Sequence, residues 1–221
     1  MNPPEPLPLS PDHLVLGCRT LDEGARWLEA RLGLAPDPGG RHPGFGSHNR
    51  LLSLGEGLYL EMLAPDPSQP APERARLFGL DDPATRERLA HGPALLHWVV
   101  RVRTPELLDA TRDDPVAASV GRIVTMTRDA LSWRIALRED GHVPPGGLPT
   151  PIDWGPSPHP CTRLPDRGVR LLRADVSVTP DALNWLGGRM NDPRFSLHAA
   201  DRPRLQATLR GPDGREAQLA G

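Results

Sequence analysis

Three stretches of the chain pass from a nearly continuous apolar run into a segment with helical periodicity. They read HLVLGC then RTLDEGARWLEARLG, LLHWVVRV then RTPELLDATRD, and LLRADVSV then TPDALNWLGG. Each apolar run has strand length, and each following segment opens on a helix start signal. In the first, Thr20 precedes Glu23 at the capping-box spacing, Leu21, Ala25, Leu28 and Leu32 form one stripe, and Gly33 closes the helix. In the other two, Thr104-Pro105 and Thr179-Pro180 set a cap residue before a proline at the first helical position. Short strand-like runs follow every helix. The first is followed by a Gly/Pro-rich loop, then HNRLLSLG and LYLEML around a hairpin turn at Glu56-Gly57. The second is followed by RIVTMTRD, LSWRIAL and PTPIDW, the third by FSLHAA, RLQATLRG and, past GPDG, REAQLA.

The chain therefore repeats a unit of one strand, one helix and two or three strands. The predicted organisation is a disordered Pro-rich lead-in at 1–11 with no signal-peptide core, a first unit at 12–65, and a connector at 66–93. A second unit follows at 94–158, a short connector at 159–168, and a third, module-like unit at 169–221. One helix covers only one face of a small sheet, so two units gain by pairing edge to edge as a half-barrel with a concave inner face. The third unit, unpaired, has a bare sheet edge, and a homodimer that covers it is an expectation.

Strand alternation then selects the inward side chains. In the first strand His13, Val15 and Gly17 share a face, and His13 looks into the cleft; in LYLEML, Tyr59, Glu61 and Leu63 share one. His97 lies in the first strand of unit two, and Asp153 in its last strand is read as the counterpart of Glu61. Two imidazoles and two carboxylates on facing sheets form a ligand set suited to Zn, Ni, Mn, Fe or Co. The bland readings stand beside this one: hydrogen-bonded core histidines, Glu61 held by Arg50 or Arg134, and Asp153 capping the turn before Trp154-Gly155. The polar, glycine-rich stretch from Arg41 to Asn49 lies at the cleft mouth. His42, His48, Asn49, Tyr59 and Trp154 are the substrate-contact candidates, with His159 beside Trp154 on one wall. Glu61 and His48 are the groups read as moving a proton.

Composition narrows the function classes. The 221 residues carry a net charge of −2, 38% hydrophobic residues, 22 glycines and 28 prolines, so a globular domain with many loops is expected. All 26 basic residues are Arg, which excludes any lysine Schiff base or P-loop lysine within the sequence. Cys18 and Cys161 stand far apart and outside C-x-x-C spacing, so neither a disulfide framework nor a cysteine metal site is expected. Near-neutral charge and few aromatics argue against nucleic acid, and no segment has membrane-span length; a cytoplasmic protein with a small-molecule partner is expected.

The run DHLVLGCRTLDEGARWLEARLGL followed by LLSLGEGLYLEMLAPDP resembles the vicinal oxygen chelate superfamily, which includes glyoxalase I and extradiol dioxygenases. The stretch GGRHPGFGSHNRLLSLG and the later IDWG resemble its glyoxalase-like domain group. The resemblance covers roughly Asp12 to Pro158. It implies an α+β fold of tandem βαβββ modules, a third related C-terminal βαββ(β) unit being read from the strand pattern. It also implies a divalent metal (Zn, Ni, Mn, Fe or Co) on His13, Glu61, His97 and Asp153, and isomerase, lyase or dioxygenase chemistry on a substrate with vicinal oxygens. Asp153 is one methylene shorter than the glutamate usual in metal-binding members, and Arg173 stands where unit three would need a histidine. The alternative is a metal-free binding or sequestering protein on the same scaffold.

Overall fold

The computed structural model describes residues 9–102, 116–128 and 130–221. The helix expected to open at Thr104-Pro105 lies outside the described residues. The first apolar run is strand β1 (Leu9–Gly17), three residues longer at its start than the predicted unit boundary. Helix α1 (Leu21–Leu32) forms as its pattern dictates: the Thr20 hydroxyl accepts the Glu23 N–H, Gly33 caps it at φ 79°, and Leu21, Ala25, Leu28 and Leu32 are buried. The loop expected after it is instead partly strand, β2 (Asp37–His42), paired antiparallel with β3 (Ser47–Ser53). β4 (Tyr59–Pro65) follows a turn in which Glu56 and Gly57 both have positive φ.

The connector carries helix α2 (Pro83–Ala90), capped by Asp82. β5 (Ala94–Val102), β6 (Arg122–Arg128), β7 (Leu131–Leu137) and β8 (Thr150–Asp153) match the predicted strands of unit two. All eight strands form one sheet in the order β2-β3-β4-β1-β5-β8-β7-β6. β1 is parallel to β4 and β5 is parallel to β8, while β1 and β5 meet antiparallel, so a pseudo-twofold axis runs between them. The sheet curls until its edges meet: the Arg128 side chain of β6 lies against the backbone of Gly40 in β2. Its concave side holds Val15, Leu63, Val99, Met126, Trp133, Ile135, Ile152 and Trp154.

The third unit consists of β9 (Arg170–Val178), α3 (Pro180–Leu186), β10 (Phe195–Ala199), β11 (Arg204–Arg210) and β12 (Glu216–Ala220). Its strand content is as expected, but its topology differs from the other two. β9 is parallel to the strand directly after its helix, in the order β10-β9-β11-β12, whereas β1 and β5 are parallel to the last strand of their units. Its apolar side chains, among them Val176, Leu205 and Leu219, join one core with α1 and with Leu14, Leu16 and Trp98 on the convex side of the large sheet. Phe195 stacks on Trp98 at 5.8 Å. The third unit thus covers the back of the sheet that carries the cleft, which is where its apolar residues are satisfied.

Candidate functional site

A bulge in β1 creates the site. Pro11 pairs with Val100 and His13 with Val99, so Asp12 is an extra residue with no partner in β5. Its side chain turns inward and is fully buried. Three donors meet it there: His13 Nδ1 at 2.7 Å, His159 Nε2 at 3.0 Å and Trp154 Nε1 at 3.0 Å. The Cys161 N–H donates to His159 Nδ1, which leaves Nε2 as the protonated nitrogen that faces Asp12.

His13 continues the line into the cavity. Its Nε2 lies 3.5 Å from Glu61 Oε2, and its ring stacks on Tyr59 with centroids 4.6 Å apart. Burial alone would lower the His13 pKa, but hydrogen bonding and charge from Asp12 and Glu61 outweigh it and hold the imidazole at about 9. Burial likewise works against the Glu61 charge, and His13, with His42 and Asn49, overcomes it and holds the carboxyl at about 2. Asp12 also lies below the usual carboxylate range: burial opposes its charge, and the bonds from His13 and His159 prevail. At neutral pH the line is carboxylate, imidazolium, carboxylate.

A second polar wall orients Glu61. Asn49 Nδ2 donates to Glu61 Oε1 at 2.6 Å, and Asn49 is held in turn by the Gly40 N–H on its Oδ1 at 2.7 Å. His42 Nε2 lies 3.7 Å from Glu61 and 3.3 Å from Asn49, and its Nδ1 meets the Ser47 hydroxyl at 3.0 Å. Burial keeps His42 below the ordinary histidine pKa. Between these walls lies a cavity of about 40 Å³, lined also by Leu77, Phe78, Met126, Arg128, Trp133 and Ile152. That is room for a few waters or a very short ligand.

Of the residues singled out from sequence, His13, His42, Asn49, Tyr59, Glu61 and Trp154 line this one cavity. His48, His97 and Asp153 do not. On β3, Ser47, Asn49 and Leu51 face inward, so alternation turns His48 away, where it lies 3.9 Å from Asp66. His97 faces the concave side but bonds Thr150 Oγ1 through Nε2 at 2.9 Å and packs on Phe78. Burial, with the His13 charge added, depresses its pKa to about 3.

Register explains Asp153. His13 pairs with Val99, and Val15 pairs with both His97 and Glu61, so the pseudo-twofold relates His13 to His97 and Val15 to Val99. Val99 pairs with Thr150 on β8, which makes Thr150, three residues before Asp153, the counterpart of Glu61. Ile152 and Trp154 point into the concave core, and Asp153 between them caps its own turn by accepting the Gly155 N–H at 2.8 Å. Among the described residues no three His, Cys, Asp or Glu side chains form a group able to hold a metal ion. Of the four expected ligands only His13 and Glu61 meet; His97 is committed to a threonine, and Asp153 faces the other way.

Asp12, Phe78 and Arg128 are positions of the candidate site that pattern reading missed. The trace of Asp12 in the sequence is a carboxylate directly before a histidine at the mouth of an apolar strand. Phe78 belongs to the connector, which inserts Leu77 and Phe78 into the concave face. The insertion is clamped: Arg76 donates to Asp81 through its backbone N–H and Nη1 and to the Gly46 carbonyl through Nε, while the Gly79 N–H bonds the Gly141 carbonyl.

A curled sheet built from two strand sets about a pseudo-twofold, with its polar cluster on the concave side, is the architecture of the vicinal oxygen chelate superfamily. The chain belongs to the glyoxalase-like domain family, whose model matches residues 12–188. Among solved structures it is similar to a hypothetical protein from Staphylococcus aureus, with 16% identity, TM-score 0.55, and 96% of this chain and 85% of that one covered. It is also similar to methylmalonyl-CoA epimerase from Mycobacterium tuberculosis, with 17% identity, TM-score 0.43, and 71% and 94% covered. An extradiol ring-cleaving dioxygenase from B.fuscum matches at 14% identity and TM-score 0.47, with 100% and 74% covered. A search of the curated proteins finds no match. No helix among the described residues is long and apolar enough to cross a membrane.

Proposed function

We propose that the protein is an acid–base enzyme that removes and returns a proton next to the carbonyl group of a small oxygenated compound, using Glu61 and His13. The observation that carries this reading is the buried line Asp12–His13–Glu61, aimed into a cavity with one gap in it. Asp12 grips His13 at hydrogen-bond distance, whereas His13 Nε2 and Glu61 Oε2 lie 3.5 Å apart, too far for a strong bond, which leaves both groups available to a ligand in the cavity beside them. His13 donates its Nε2 proton to that oxygen as negative charge develops there. Glu61, losing its cation to the substrate, takes the proton from the adjacent carbon. Return of the proton to the same carbon, with His13 recovering its own from the oxygen, exchanges or epimerises it; return to the former carbonyl carbon, with His13 recovering its proton from the neighbouring hydroxyl, isomerises the compound. The Asn49 amide and the Tyr59 ring keep both groups in place. Among the described residues no group of three His, Cys, Asp or Glu could hold a metal ion, and in this reading the proton moves between these two groups and the substrate.

Proton exchange can be read whatever the final product. Short dicarbonyls, 2-hydroxy ketones and 2-oxo acids are incubated in D₂O, and loss of the proton next to the carbonyl is followed by NMR. The expected result is exchange by the wild type and a loss of about a hundredfold or more in Glu61→Gln. Equal exchange by both proteins contradicts the assignment of Glu61. Saturable binding with no exchange of any compound supports the second reading, a metal-free binding protein, which is favoured by the hydrogen-bonded state of His13, His42 and His97.

A further inference from the structure

Arg128, the last residue of β6, lines the same cavity as His13, Asn49 and Glu61. Its guanidinium carbon lies 5.9 Å from the ring centroid of Trp133, and the guanidinium makes no ion pair or hydrogen bond with any described residue. Many other arginines of the chain are paired, as Arg76 is with Asp81, Arg50 with Asp22 and Arg194 with Asp192. Gly40 of β2 leaves the space that Arg128 occupies, and Gly39 leaves the space for Asn49. A side chain at Gly40 would strike the Arg128 Cδ and Nη1, and one at Gly39 would strike the Asn49 amide oxygen and backbone. The same strand thus clears room for the cation and for the amide that holds Glu61. The Arg128 charge acts on His42 and Tyr59 inside the cavity.

We infer that Arg128 anchors a substrate carboxylate, and that the substrates are therefore short 2-oxo carboxylates. The inference rests on the acid–base reading above and adds the substrate class to it. The ligand has its carboxylate on Arg128, its keto oxygen at His13 and its C3–H at Glu61. Abstraction breaks the C3–H bond, the electron pair forms the C2–C3 double bond, and the keto oxygen takes the charge under the His13 N–H. The proton sits on Glu61 until it returns to C3, so no oxidant or reductant is consumed. A carboxylate matches the fork of this cation, and the small cavity of about 40 Å³ favours a short ligand.

The experiment compares pyruvate with pyruvamide, which has the same skeleton without the charge, in wild type, Arg128→Gln and Arg128→Lys. Exchange at C3 is read by NMR in D₂O and binding by calorimetry. The wild type is expected to prefer pyruvate at half-saturation by about tenfold or more, the scale of a hydrogen bond to a charged group. That preference collapses toward one in Arg128→Gln and returns in part in Arg128→Lys, which restores the charge without the forked geometry. A preference that is absent in the wild type, or that survives in Arg128→Gln, overturns the inference and leaves the acid–base reading standing. Pyruvate that binds the wild type but not Arg128→Gln and never exchanges supports the anchor and overturns the acid–base reading instead. Failure of pyruvate to bind the wild type overturns the anchor.

Discussion

Asp12→Ala is expected to destabilise the protein by about 3–5 kcal/mol, the usual effect of removing one partner from a buried charged pair. Asp12 has no solvent exposure and is the acceptor for His13, His159 and Trp154. The truncation leaves three donors without a partner, each of which is costly to bury unpaired. It also removes the anion that stabilises the His13 charge beside Glu61. For a domain of this size the shift in Tm is on the order of 10 °C, read by thermal or urea unfolding. Asp12→Asn keeps the volume and one acceptor oxygen and is expected to fall between the wild type and Asp12→Ala. A loss below about 1 kcal/mol in Asp12→Ala would mean that the bulge repacks and that this carboxylate is not what holds the site.

The second large effect is expected at Phe78, and its sign pattern is unusual. Phe78 is buried against His97 and the cavity, so Phe78→Ala removes a core ring at a cost of about 3–5 kcal/mol. Its backbone, however, lies at φ 54°, ψ 37°, the left-handed region that costs a residue with a Cβ about 1–2 kcal/mol. Phe78→Gly removes the ring and that cost together. Where Gly normally destabilises a site relative to Ala, Phe78→Gly is expected to be more stable than Phe78→Ala by about 1 kcal/mol, measured by urea unfolding. Both variants enlarge the cavity, so compounds longer than pyruvate should gain exchange or binding. The reverse stability order would show that the turn relaxes out of the left-handed region once the ring is gone.

Much of this architecture is legible in the sequence because it rests on short-range rules. Thr20, Glu23 and Gly33 mark α1 by capping chemistry, Glu56-Gly57 marks a tight turn, and period-two alternation groups His13, Tyr59 and Glu61 on cavity-facing sides of their strands. What escapes is whatever depends on register or on distant packing. A single inserted residue puts Asp12 inside, and alternation read without the bulge sends it outward. The pairing of Val99 with Thr150 is a long-range fact, and without it Asp153 is the carboxylate that matches Glu61 by eye. The insertion of Leu77 and Phe78 depends on a clamp between Arg76, Asp81 and Gly46 that no local pattern announces. The third unit has the expected strands, yet its parallel pairing of β9 with β10 follows from how it covers the convex face and not from its resemblance to the first two.

If His13 and Glu61 form a preorganised acid–base pair and not half of a metal site, the protein should not retain a divalent ion. Elemental analysis by plasma mass spectrometry decides this, on protein incubated with Zn, Ni, Mn, Fe or Co and then freed of unbound ion. No metal near one equivalent is expected, because His97 is engaged by Thr150 and Asp153 by its own turn. About one equivalent of metal retained by the wild type and lost in both His97→Ala and Glu61→Ala would restore the metal site and refute the acid–base pair.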